Sequence, residues 1–176
     1  MLDAPVGGSS GQARRREAPV VVGGDPEVFA RCRPLLDAVA QRVHYMGPNG
    51  SGARAKLVIT HLILGLNRLA LAEGLLFGLR QGLDGKALLD LLKDSGAYSR
   101  AMDIKGLRML EGHFEPEGKL AQHLKDVELM LEVGHATGTP LMATALHRQL
   151  LLAGVAAGLG ERDNSSIVSV LRSLVE

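Results

Sequence analysis

Lys56 closes Gly47-Pro-Asn-Gly-Ser-Gly-Ala-Arg-Ala-Lys56, a glycine-rich loop that feeds one ammonium into the first turns of a long apolar helix. An ammonium partly withdrawn from water becomes a stronger acid, so near neutral pH it can hand a proton to a forming alkoxide or take one from an alcohol. Gly50 and Gly52 permit unusual dihedrals and the close approach of a ligand, while unpaired N–H groups at a helix start can hold a carboxylate or phosphate. Spacing alone leaves a duller reading open, a solvated lysine in an ordinary helix-starting turn. His61 follows Lys56 by five positions, about 140° round an α-helix, so the two need not share a face. The histidines at 44, 61, 113, 123, 135 and 147 form no i, i+4 pair, and no metal site is expected. Asn67 and Glu73 read as polar residues satisfied by neighbouring helices, Lys119 and Lys125 as a solvated helix face, and Asp163 as a helix cap.

The elements that must position these residues fall into two kinds. Before residue 47, Asp3 to Val6 and Pro19 to Val22 read as short strands flanking a Gly/Ser/Arg loop, and Val43 to Met46 as a third. Asp25 with Pro26 opens a helix to about Ala40, in which Pro34 predicts a kink or a break. From Ser51 to about Gln81 the chain is apolar nearly all round, a helix of about 45 Å at 1.5 Å per residue, sunk among others. Further helices are expected from Asp84 to Ser95, Ser99 to Glu111, 118 to 136, 141 to 157 and 165 to 175, divided by Gly112 to Pro116, Gly138-Thr-Pro140 and Gly158-Leu-Gly160. The expected fold is mainly α, a short α/β remnant followed by an all-α domain with a long central helix. The domains are then 1–47 and 48–176. Three strands make a poor sheet alone, which suggests a protein extending upstream of a fragment or a late start.

Composition narrows the function. At 46% hydrophobic and 22% charged the 176 residues can bury a core, and three Phe, two Tyr and no Trp mean that Leu, Ala and Val must fill it. A net charge of +1 gives no electrostatic case for nucleic acid. The lone Cys32 cannot form an internal disulfide, so a cytoplasmic location is the default. His61, Asn67, Arg68 and Glu73 interrupt the most apolar run, so no membrane span is expected.

Gly-Pro-x-Gly-x-Gly-x-x-x-Lys before an apolar helix resembles the β-hydroxyacid dehydrogenases, the family of 3-hydroxyisobutyrate dehydrogenase and tartronate semialdehyde reductase. Asp3-Ala-Pro-Val6 resembles the start of that family's substrate loop, Asp-Ala-Pro-Val-Ser-Gly-Gly, with its usual distance to Val22-Gly-Gly-Asp25. Phe114 to Lys125-Asp126, Gly138-Thr-Pro-Leu141 and Gly158-x-Gly-x-x-Asp163-x-Ser165 resemble three later family segments in the right order. The resemblance implies a 6-phosphogluconate dehydrogenase-like helical domain that closes on substrate, with NAD or NADP held mainly by a Rossmann domain absent from this chain. It implies Lys56 as general acid/base, Gly7, Gly8, Ser9 and Thr60 as substrate-binding positions, and Lys125, Phe114 and Asp126 on the cofactor side. It further implies a small hydroxyacid substrate and a homodimer or homotetramer.

Two positions depart from the family pattern. Gly7-Gly8-Ser9 stands where the family has Ser-Gly-Gly, which removes or displaces a hydroxyl donor, and Thr60 stands where it commonly has Asn. Imine reductases share the architecture but usually replace the lysine, so Lys56 weighs against that branch. No Gly-x-Gly-x-x-Gly follows a strand, since Gly50-Ser-Gly52 continues into Ala-Arg-Ala. The expected function is the carboxy-terminal half of an NAD(P)-dependent hydroxyacid dehydrogenase, inactive alone; the alternative is a non-catalytic helical dimerisation module.

Overall fold

A computed structural model describes residues 1–8 and 10–175, so the Ser9 position lies outside the described residues. The chain divides into two compact units, Met1–His61 and Leu62–Glu176.

In the first unit, β-branched Val20, Val21 and Val22 build a central strand, β2 (Val20–Gly24). It pairs antiparallel with β1 (Leu2–Asp3) and parallel with β3 (Val43–Tyr45). Val20, Val22 and Ala40 form a small apolar core with Leu2, Phe29, Leu36 and Val43 packed against it. The Gly/Ser/Arg segment is not all loop, because Ser10–Arg14 forms a short helix, α1. α2 (Pro26–Val39) starts where its cap predicts: Asp25 accepts from the N–H groups of Glu27 at 2.8 Å and Val28 at 3.0 Å. Pro34 does not break it.

The long helix runs Ser51–Arg80 but is not uniform. It comprises α3 (Ser51–Lys56), a π-helical stretch (Leu57–Ile63) and α4 (Leu64–Arg80). The expectation of one regular α-helix is therefore corrected. A π turn bonds i to i+5, so His61 lies one turn beyond Lys56 and the 140° offset of an α-helix does not apply.

Among the described residues, the second unit's elements are α4, α5 (Gly85–Asp94), α6 (Arg100–Glu111), α7 (Leu120–Ala136), α8 (Met142–Ala156), a 3-10 turn (Asn164–Ser166) and α9 (Ile167–Ser173), with an isolated antiparallel bridge between Lys119 and Asp163. α4 is its spine and packs against α5, α6, α8 and α9. By length and apolarity Ser51–Arg80 could cross a membrane. Within this unit, however, Leu69, Leu71, Ala72 and Leu75 of α4 are buried as core. Close helix approach needs glycine: a β-carbon on Gly106 would lie 2.6 Å from Leu89 Cδ1, and one on Gly78 would collide with Leu88.

Candidate functional site

The lysine helix begins on a carboxylate. Asp3 Oδ1 accepts from the Gly50 N–H at 2.7 Å, and Oδ2 accepts from the Ala53 N–H at 2.8 Å, so a residue of β1 caps a helix 47 positions later. Burial pushes the Asp3 carboxyl up, but the N–H donors of Ala53, Gly50 and Gly52 outweigh it and hold it below its ordinary value. The loop can lie this close because its glycines carry no side chain. A β-carbon on Gly52 would meet Val21 O at 2.6 Å and Asp3 Oδ2 at 2.7 Å, and Gly50 turns the chain with φ of 86°. Gly24 N–H to Gly47 O at 2.8 Å ties the loop to β2.

Lys56 is half-buried at the end of α3, and no carboxylate or carbonyl takes its ammonium among the described residues. One turn on, the Thr60 hydroxyl is buried without a partner. It faces the amino-terminal loop, for a β-carbon on Gly7 would lie 3.7 Å from Thr60 Oγ1. The first unit thus brings Gly7 and Thr60 together. Gly7 donates its own N–H to Pro19 O at 2.8 Å, so that donor is already committed. Gly8 is exposed, and its N–H has no partner among the described residues.

Phe114, Lys125 and Asp126 belong to the second unit. Phe114 is half-buried in the loop before α7, Lys125 is exposed on α7 and Asp126 is half-buried beside it. What fixes this loop is Asp163, which does far more than cap. Its carboxylate is fully buried and accepts from Lys105 Nζ at 2.9 Å, the Glu117 N–H at 3.0 Å, the Gly118 N–H at 3.3 Å and the Ser165 hydroxyl at 2.7 Å. Its own N–H donates to Phe114 O at 2.9 Å. Burial raises the Asp163 pKa, yet the Ser165 donors and the Lys105 ammonium bring it down to about 2. Lys105 also reaches Glu117 at 3.1 Å, and Arg108 Nη1 reaches Glu117 at 3.2 Å.

Behind this network Arg68 and His147 are buried too, with burial lowering Arg68 to about 10 against the Asp163 charge. Burial first, and the Arg68 charge second, hold His147 near 4. Its ring lies 5.1 Å from that of His123. Sequence reasoning missed Asp3 as a helix cap and Lys105 as a buried ion-pair partner. The first was readable as an Asp inside a motif; the second had no local signal, because its partner lies 58 residues away.

Comparison with known proteins accords with this geometry. Residues 50–171 match the profile described as NAD-binding of NADP-dependent 3-hydroxyisobutyrate dehydrogenase, and residues 1–47 match the NAD binding domain of 6-phosphogluconate dehydrogenase. The chain is 35% identical over 170 residues to 2-hydroxy-3-oxopropionate reductase of Escherichia coli (strain K12), covering 97% of this chain and 58% of that one. It is 32% identical over 170 residues to 2-(hydroxymethyl)glutarate dehydrogenase of Eubacterium barkeri, covering 96% and 56%. A crystal structure of 3-hydroxyisobutyrate dehydrogenase from Salmonella typhimurium superposes with a TM-score of 0.88 at 26% identity, over 97% of this chain and 60% of that one. The chain thus spans less than two thirds of the length of these proteins. With most of its residues inside one family profile, the chain belongs to the β-hydroxyacid dehydrogenase family.

Proposed function

We propose that this chain is the substrate-closing part of an NAD(P)-dependent dehydrogenase of a small β-hydroxyacid, with Lys56 as its general acid/base. The observation that carries the reading is the Lys56 ammonium, half-buried and unpaired among the described residues, on a helix clamped by Asp3 and followed one turn later by the unpartnered Thr60 hydroxyl. As the free amine, Lys56 Nζ takes the proton from the substrate hydroxyl; as the ammonium, it returns one to the alkoxide oxygen in the reverse direction. The exposed Gly8 N–H can donate to the acid's carboxylate, with Gly7, Ser9 and Thr60 as the other substrate-side positions of this reading. Residues 1–47 are assigned to the cofactor-binding domain and 48–176 to the helical one.

A bound nicotinamide supplies the hydride acceptor. Lys125 fits such a group, since its exposed ammonium has no partner among the described residues and can donate to a neutral or anionic oxygen. Phe114 and Asp126 are the neighbouring cofactor-side candidates, on a loop and helix fixed through Asp163. The lone half-buried Cys32 supports the cytoplasmic assignment.

The test is turnover by the complete protein. Lys56→Ala should lower kcat by about 10² to 10⁴, with nicotinamide binding followed by fluorescence left intact. Unchanged kcat would overturn the assignment. A second reading, a non-catalytic helical association module, draws on exposed Phe77 (70%) and Met142 (80%), which also suit the homodimer or homotetramer proposed for the enzyme. It would be favoured by sedimentation as a dimer together with no nicotinamide binding.

A further inference from the structure

Gly74 is a helix-interior glycine that the chain's own packing does not use. In the second unit, β-carbons on Gly65, Gly106, Gly134 and Gly154 would lie 2.6 to 3.0 Å from a neighbouring side chain, so each is required by a close helix contact. A β-carbon on Gly74 would meet nothing within 4 Å, and its φ is not left-handed. Glycine inside a helix weakens it relative to alanine, so the position is costly unless something from outside comes close.

The surroundings of Gly74 form an apolar stripe. At about 100° per residue, Leu66, Ala70, Gly74 and Phe77 of α4 fall within about 80° of arc. Leu66 is half-buried, Ala70 and Gly74 are exposed and Phe77 is 70% exposed, while Ala72 and Leu75 on the other side of the helix belong to the core. Notch and knob therefore sit on one face: Ala70 and Gly74 leave the backbone bare, and Phe77 stands out one turn later. Such a face is complementary to a second copy of itself, because a two-fold pairing sets each Phe77 against the other chain's Gly74.

The charges choose the direction of pairing. Glu73 and Arg80 are exposed, lie along one edge of the stripe on either side of Phe77, and pair with no other side chain among the described residues. An antiparallel pair keeps like edges together, so each Glu73 meets the Arg80 of the other copy. A parallel pair sets both charges against the opposite edge, where Asn67 lies, and leaves them apart.

We propose that α4 is a self-association face: two copies of this chain pair antiparallel through it, each Phe77 seated over Ala70 and Gly74 of the other copy, with Glu73 and Arg80 joined across the seam. This rests on the homo-oligomer of the reading above and names its interface.

Sedimentation equilibrium of the full chain over a range of concentrations should show a monomer–dimer equilibrium. Gly74→Leu fills the notch and Phe77→Ala removes the knob, and each should raise the dimer Kd about tenfold or more. Neither should lower the Tm of the dilute monomer, since Gly74 faces open space and Phe77 is exposed. Glu73→Arg and Arg80→Glu should each raise Kd by about three- to tenfold, because the two-fold axis doubles every effect, and the double variant should restore the wild-type value. A dimer whose Kd ignores Gly74→Leu and both charge reversals would overturn this face while leaving the homo-oligomer reading in place. A wild-type chain that stays monomeric would overturn both.

Discussion

Asp3 and Asp163 perform the same act at two places: each carboxylate gathers backbone N–H groups from a segment far along the chain and so fixes a loop that carries candidate site residues. Their titration differs in consequence from that of His147. Both carboxyls are lower in the folded chain, so the stability they contribute is present above the unfolded value near 3.8 and is lost as pH falls through the folded one, about 2 for Asp163. His147 is a base held near 4, so the unfolded chain takes up its proton first and stability falls between pH 6.5 and 4. A folded value near 4 against 6.5 corresponds to roughly 3 kcal/mol at 1.36 kcal/mol per pH unit. Denaturant titrations at pH 7.5, 5.5 and 4 should show this decline, and His147→Gln should flatten it whatever its effect on absolute stability. Asp163→Asn should cost about 3 to 5 kcal/mol at pH 7, since it leaves buried Arg68 without the Asp163 charge and buried Lys105 with only the half-exposed Glu117 carboxylate.

Among the elements, helix existence and order were legible because glycine, proline and acidic caps punctuate the chain. Asp25 and Asp84 accept from their own helix N–H groups as their positions predict, and Pro34 lies inside α2 without breaking it. Ser99 stands at its predicted cap position but makes no cap hydrogen bond through its side chain. The π stretch Leu57–Ile63 was not legible, since its apolar sequence suits either helical period. The same limit hid α1, whose Gly and Arg residues carry no periodic apolar face. In the candidate site, the motif glycines and Lys56 could be read directly, whereas the unpartnered state of Thr60 depends on its three-dimensional surroundings. Gly52→Ala tests the clamp on the lysine helix. Its β-carbon would press on Val21 O and Asp3 Oδ2, and calorimetry should show a loss of about 1 to 3 kcal/mol.

At the scale of the whole molecule, the second unit has the features of an autonomous core: a spine helix, leucines received by glycines on facing helices, and one buried ion network. The first unit has a three-stranded sheet and a small apolar cluster. Its order therefore leans on hydrogen bonds more than on buried area. Hydrogen exchange should find the slowest amides in α4 and α7 of the second unit and faster exchange in β1 and the Gly47–Gly52 loop.

The Asp3 clamp also has a practical meaning for protein engineering. Residue 3 lies 47 positions before the Gly50 N–H it accepts from and is not among the residues that could do chemistry, yet its carboxylate holds the turn that presents Lys56. Replacing Asp3 would therefore loosen the lysine's mounting while leaving every candidate site side chain in place, so a variant there would mimic damage to the site itself.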